Sequence, residues 1–452
     1  MLYRDFKQKT AKTNVLADVD TLGSFDFYTS IISLDSLTSR DIEQLREVIG
    51  GALNNSLDSP YSLTYAQYAI VTRTLPLIVH EYTHFLDSTS TLWGLKHLHQ
   101  MDAAYKASDK LGAVESDFSS TKRFSDHCRR IRLPNYYTVI DKQNRNIRPW
   151  ISQISIGHLF ESSGSPSDRP ILFSRFSNSE NQLLARSPVS TVSLLEASAM
   201  AQELMLHIGL LAHMDTNFQM VEQRQFAGRT MDYLYNTEIT EYSVCAHIVA
   251  NRQGCSEALD AFRVCAWLVR TVLNYPDAAF RQVFDNCPVD DILQVRDNTP
   301  FIESIKNGLR YGDLGVLFYV LCAALPPKSY ISTTATVEGI DEALRTIGVA
   351  REHLVAMYDE QATELITALT NSRFRSIADL SRAGYENLQK LGTNASLDFF
   401  DLNVPSSLLG DSSIAQIFES PSNKLRGFDL DACFDELFAG QLWVERFAEA
   451  CV

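Results

Sequence analysis

With 452 residues, 45% of them hydrophobic and 21% charged, the chain has the makeup of a globular protein, large enough for two domains or one lobed unit. A formal charge of −15 argues against nucleic acid or an anionic membrane as the main partner. The eight cysteines form no C-x-x-C pair and several lie in apolar helical runs, a pattern of reduced, buried thiols. The N-terminus, Met1 to Lys9, has charges where a signal peptide needs an apolar stretch, and the apolar run Leu314 to Leu325 is too short to span a bilayer. The expectation is a cytoplasmic protein.

Residues 1–20 read as a polar lead-in, and Phe25 to Ile32, rich in aromatic and β-branched residues, reads as a strand. Thr38 with Asp41 three positions on makes a capping-box-like start to a helix expected to run to about Ile49 and stop at Gly50-Gly51. After a loop from Asn54 to Pro60, a long helix is expected from about Thr64 to Asp87. Near its C-terminal end stands His80-Glu81-Tyr82-Thr83-His84. Residues four apart share a helix face, so His80 and His84 can aim two imidazoles at one point, with the Glu81 carboxylate about 100° round the axis beside it. Two imidazoles, a third protein ligand and an open position are what a catalytic Zn²⁺ requires. The metal acidifies its bound water, and a carboxylate in the place of Glu81 takes the proton as general base.

The stretch Leu77 to Leu86 resembles the motif helix of the zincin metallopeptidases, down to the uncharged neighbours Ile78, Val79, Tyr82, Thr83, Phe85 and Leu86. Charges beside the ligands, under an active-site floor, would be costly to bury. The resemblance implies a motif helix packed beneath a small sheet, Zn²⁺ as cofactor, and a protein or peptide as substrate. Asp87, one turn beyond His84, is a candidate to orient an imidazole through its free N–H.

A further helix is expected from Leu95 to Leu111. It carries His97 and His99, which point to different faces and read as surface or core histidines. Lys122, Arg123, Arg129, Arg130, Arg132, Lys142, Arg145 and Arg148 then crowd one region against only Asp126 and Asp141. They read as a solvated loop or as a patch that meets an acidic partner. Tyr136 to Ile140, Ile151 to Ile156 and Ile171 to Phe173 read as short strands around a flexible loop at Ser162 to Ser167. In zincins an edge strand near the motif helix binds the substrate backbone, and any of the three fits that part.

Ser193 to Glu203 is rich in Ala, Leu and Met and has high helix propensity. Glu196 is an isolated carboxylate in its apolar first turn, where it needs a cation or strong donors. Glu196-Ala197-Ser198-Ala199 resembles the Glu-x-x-Ala setting of the third zinc ligand in the gluzincin branch. The long interval from His84 implies an insertion at about 100–190, and Met200 stands where an Asp often supports the first His. Glu203 and His207 share the helical face of Glu196 and are rival ligands; an exposed Glu near a helix N-terminus is the simpler alternative. Beyond lie Tyr233, Tyr235, Glu238, Glu241, Tyr242 and His247. Tyr242 or His247 is a candidate to stabilise an oxyanion opposite the metal, the alternative being ordinary helix residues.

From about Tyr242 the chain reads as mainly helical, over Ala246 to Leu273, Gly308 to Leu325, Ile340 to Leu369, Ser376 to Leu391 and Leu430 to Val452. Pro326-Pro327 and the segment Pro405 to Gly410 interrupt it. The expected fold class is α+β, predominantly helical. A zincin-like catalytic part (1–250), with a small sheet over the motif helix, precedes a helical C-terminal domain (251–452). The expected function is a zinc-dependent intracellular metallopeptidase of gluzincin type, acting on a protein or peptide and open to control by a protein activator. The alternatives are a catalytically degenerate zincin fold serving as an interaction or regulatory module, and a hydrolase of a non-peptide amide.

Overall fold

The structure, a computed structural model, describes residues 22–54, 63–108, 114–161, 164–295 and 300–450. Most of the loop expected at Asn54 to Pro60, and the first two residues of the Ser162 to Ser167 loop, fall outside them. The fold is α+β and predominantly helical, with two small four-stranded sheets.

The chain opens with β1 (Ser24–Phe25) and β2 (Ile32–Leu34), an antiparallel pair where one strand was expected. The difference lies in Asp26, whose carboxylate accepts from the Tyr28 amide (3.0 Å) and the Thr29 hydroxyl (2.7 Å), while Ser30 takes φ 56°. An Asx-type turn closed by its own side chain folds the segment back on itself.

Helix α1 (Ser39–Asn54) is capped as expected by Thr38 and Asp41, but it runs through Gly50-Gly51. Two glycines cost helix stability without forcing an end. Helix α2 (Tyr65–Thr89) starts at a Thr64–Gln67 capping box and carries the His-Glu-x-x-His stretch near its C-terminal end, where every residue from Ile78 to Thr89 is buried. Helix α3 (Leu92–Tyr105) follows. The basic cluster expected in a solvated loop is in good part helical: α4 (Glu115–Ile131) holds Lys122, Arg123, Arg129 and Arg130. Acidic residues at its start and basic residues in its last turn suit the helix dipole.

Strands β3 (Val139–Ile140), β4 (Ile151–Phe160), β5 (Pro166–Ser177) and β6 (Leu183–Pro188) form an antiparallel sheet in the order β3-β6-β5-β4. The sequence reading missed β6, which leads straight into α5 (Thr191–Ala212). By length and composition α5 could cross a membrane, but it lies largely buried inside the protein. Helices α6 (Thr216–Leu234), which the sequence reading passed over, α7 (Thr240–Gln253), α8 (Ala258–Leu273) and α9 (Asp277–Asn286) come next. They are followed by α10 (Val289–Leu293), α11 (Pro300–Arg310), α12 (Leu314–Ala324), α13 (Thr333–Thr346), α14 (Arg351–Leu369) and α15 (Arg375–Leu391). The break around Pro405 to Gly410 contains β7 (Ser407–Leu409), joined by β8 (Ile414–Ala415) before α16 (Leu430–Ala450).

Strand β7 pairs parallel with β2, so residues from opposite ends of the chain complete one sheet, in the order β1-β2-β7-β8. Both β1 and β2 pack on α2, and α5 lies along it. One contiguous apolar core runs from Phe25 to Val444. The boundary expected at 250/251 falls inside α7, and the helical second half shares that core rather than building its own. Helices long enough to bury two faces hold the His-Glu-x-x-His stretch between a sheet and α5, which fixes the directions of its side chains.

Candidate metal centre

The Nε2 atoms of His80 and His84 lie 3.2 Å apart, and Glu196 Oε2 lies 3.3 Å from the first and 3.5 Å from the second. These are the three residues that converge tightly enough to hold one ion among the described residues. Bonds of about 2.0–2.1 Å in a tetrahedral zinc site place neighbouring ligand atoms roughly 3.3 Å apart. The three observed separations match the edges of that tetrahedron.

The convergence follows from the helices. One turn of α2 stacks the two imidazoles, with ring centroids 4.9 Å apart, and the first turns of α5 present Glu196 against them. That start is fixed by Ser190 and Ser193, whose hydroxyl groups lie 3.3 Å apart, and by the Ser193 hydroxyl donating to the Pro188 carbonyl (3.0 Å). The apolar faces of Leu194, Leu195 and Ala197 then lock the helix into the core.

The electrostatics favour a cation. Burial raises the pKa of Glu196, but His84 and His80 outweigh it and hold the carboxyl down at about 2. Burial likewise pulls His80 down, yet its contacts with Glu196 and Glu203 and the Glu81 charge hold it well above the ordinary imidazole value. Two facing ring nitrogens and a carboxylate, all nearly out of water, need a shared positive charge between them, whether a proton or a metal ion.

Glu203, a rival third ligand in the sequence, lies beside the other ring nitrogen of His80. Its Oε2 sits 3.3 Å from His80 Nδ1, on the far side of the ring from Glu196. An Nδ1–H donated to Glu203 leaves the Nε2 lone pair directed at the triad, the tautomer a metal ligand needs. Asp87 does not take that part. Its Oδ1 accepts from the Arg270 guanidinium (3.3 Å), both groups being buried, and among the described residues neither imidazole bonds to it and His84 Nδ1 has no hydrogen-bond partner. A buried guanidinium is the stronger claim on a buried carboxylate. Burial raises the Asp87 pKa, with Arg270, Ser198 and His84 pulling the other way.

Glu81 is buried beside the triad, and the N-terminal backbone presses on it. A Cβ added at Gly23 would come within 3.1 Å of both Glu81 Cγ and Oε1. Tyr242 stacks over the His80 ring (centroids 6.3 Å apart, planes at 30°) with Tyr233 edge-on behind it, so it stands next to the centre. His247 does not. Its Nε2 bonds to the Leu234 carbonyl (3.0 Å) and its ring lies among Trp150, Phe176 and Tyr235, where burial lowers its pKa. An imidazole with that bond in an aromatic cage is a core residue.

His207 also stays apart. It meets the Tyr68 hydroxyl at 3.0 Å and stacks on Phe226, and burial brings its pKa down to about 4. His97 is buried, with Nε2 donating to the Phe27 carbonyl (2.8 Å) and Nδ1 3.0 Å from His127 Nε2, whereas His99 is exposed. The whole centre is closed: relative exposure is 4% for His80 and 1% each for Glu81, His84 and Glu196. No family model matches the chain, and neither the curated proteins nor the solved structures contain a match to it.

Proposed function

We propose that the protein is a zinc-dependent metallopeptidase of gluzincin type, with a zincin-like arrangement around α2 and α5. The observation that carries this reading is the convergence of His80, His84 and Glu196 at 3.2–3.5 Å, the spacing of a tetrahedral metal site. His80, His84 and Glu196 would hold Zn²⁺. When bound, the metal supplies Lewis acidity to a water and to the scissile carbonyl. Glu81, adjacent to His80 on the same helix and buried among the ligands, takes the proton from the attacking water and passes it to the leaving amine. Glu203 keeps His80 in the ligating tautomer. Tyr242, stacked on His80, is the candidate donor to the oxyanion. The substrate is a protein or peptide, and the seven free cysteines among the described residues support action in a reducing compartment, the cytoplasm.

A second reading rests on the burial of the centre. With all three ligands and Glu81 nearly inaccessible, the same site suits a catalytically silent zincin-like fold that serves as an interaction or regulatory module. An enzyme with this centre needs a movement that opens it, which a protein activator could drive.

Metal analysis by mass spectrometry and hydrolysis of an unstructured protein separate the two. One zinc per chain, lost in His84→Ala and reduced in Glu196→Ala, is expected, together with proteolysis that Glu81→Gln abolishes while keeping its zinc. General-base catalysis is worth about 10²–10⁴-fold, so the loss should be of that order. Proteolysis surviving in Glu81→Gln would refute the mechanism. Stoichiometric zinc without hydrolysis of any substrate would favour the silent module, and no zinc in the wild type after reconstitution would remove the enzyme reading and leave the interaction module.

A further inference from the structure

A second site lies away from the metal triad, in a cavity of about 220 Å³ where α3, α4, β5 and the starts of α5 and α12 meet. Two guanidiniums line it, Arg130 from α4 and Arg169 from β5, and among the described residues neither is within ion-pair distance of a carboxylate. Arg169 lies over the Tyr311 ring (5.0 Å), which fixes the plane of its fork. Lys96 also lines the cavity but is paired with Asp277 at 2.6 Å.

Two carboxylates act on Arg130: Asp126, which is paired with Lys122 at 2.9 Å, and Asp313, which is already engaged. Asp313 caps α12, accepting from the Val316 amide at 2.9 Å. Burial raises its pKa to about 6 despite the Val316 and Gly315 amides and the two arginine charges. Burial and the Arg169 charge together lower the pKa of Arg130. Two guanidiniums therefore face one cavity whose lining carboxylates, Asp313 and Asp277, are each engaged by other donors.

The backbone adds to this. Ser190 and Thr191 at the start of α5, and Leu314 and Gly315 at the start of α12, line the same cavity. First-turn amides of a helix lack intrahelical acceptors and carry the positive end of its dipole. A side chain at Gly315 would collide with the Val189 carbonyl, so only glycine lets the two helix starts abut here.

We propose that this cavity is a binding site for a phosphate group, borne by a small molecule or free in solution. Donors converge from α4, β5 and the start of α5, which suits a tetrahedral dianion with oxygens in several directions; a planar carboxylate engages one guanidinium fork. The volume equals about seven water molecules at ~30 Å³ each, room for a phosphate and a small substituent. The basic cluster that stood out in the sequence thus contributes Arg130 to a built pocket. Through α5 the site shares one rigid element with Glu196, roughly 8 Å further along the helix.

The test is calorimetric titration of the full chain with inorganic phosphate at fixed ionic strength, with a chelator present so that phosphate has no metal to bind. One saturable site is expected, at least tenfold tighter for phosphate than for acetate. Arg130→Gln and Arg169→Gln should each weaken it tenfold or more, and Lys122→Ala, on the solvent side of α4, should leave it unchanged. Arg130→Lys keeps the charge, protects against misfolding and should still weaken binding through loss of the fork. Absence of saturation, equal affinity for acetate, or wild-type binding in the Arg130→Gln/Arg169→Gln protein would overturn the assignment.

Discussion

Replacing Glu203 by Ala tests whether the triad is tuned from outside. Glu203 Oε2 lies 3.3 Å from His80 Nδ1, and its side chain is 32% exposed. A hydrogen bond to a charged group contributes about 1.5–3 kcal/mol when well made. A bond at the long end of the range, with water in reach, belongs at or just below the lower limit, about 1.4 kcal/mol, or tenfold in affinity. Glu203→Ala should therefore weaken zinc about tenfold, within the 10–100-fold seen when partners of metal-bound histidines are removed. Glu203→Gln keeps an acceptor without the charge and should lose about threefold. Competition against a chromogenic zinc chelator reads both, with His84→Ala marking the floor. An unchanged affinity in Glu203→Ala would mean that His80 holds its tautomer without this bond. A loss as deep as that of His84→Ala would make Glu203 a ligand in its own right.

Gly23→Ala inserts a methyl within 3.1 Å of the Glu81 side chain. Zinc content should stay at the wild-type level while kcat falls, by about 10–100-fold if the carboxylate shifts by most of an ångström; unchanged kcat would show that the contact has no bearing on the base. Arg270→Met strands the buried Asp87 carboxylate and should cost about 3–5 kcal/mol in denaturant unfolding. Adding Asp87→Asn should recover most of that, and a double variant no more stable than the single would refute the ion-pair account.

The letters of the sequence held the two imidazoles and the neighbouring Glu81 because a helix repeat alone brings them together. Glu196 was legible for a different reason: a lone carboxylate among Leu194, Leu195 and Ala197 has to be partnered. The roles of Glu203 and Asp87 were not legible, since both lie on the right helices and only the packing of α8 decides that Arg270 takes Asp87. His247 misled because its aromatic cage is assembled from Trp150, Phe176 and Tyr235, far apart in sequence. The β1–β2 turn escaped notice because Asp26, between two phenylalanines in a β-rich run, closes it with its own side chain. The shared core was hidden for a similar reason: the segment Pro405 to Gly410 looks like a helix breaker and is the strand that pairs with β2.

That last pairing sets a clock. Ser33 meets Leu408, so the sheet that packs on α2 lacks its third strand until the segment around Leu408 has left the ribosome. At about 5–20 residues per second, the segment holding His80 and His84 is made well over ten seconds before β7 is. During that interval the two histidines are on a chain whose long-range contacts, the slowest to form, do not yet exist. A nascent chain that stops short of β7 would thus carry both histidines without the completed sheet that packs against their helix.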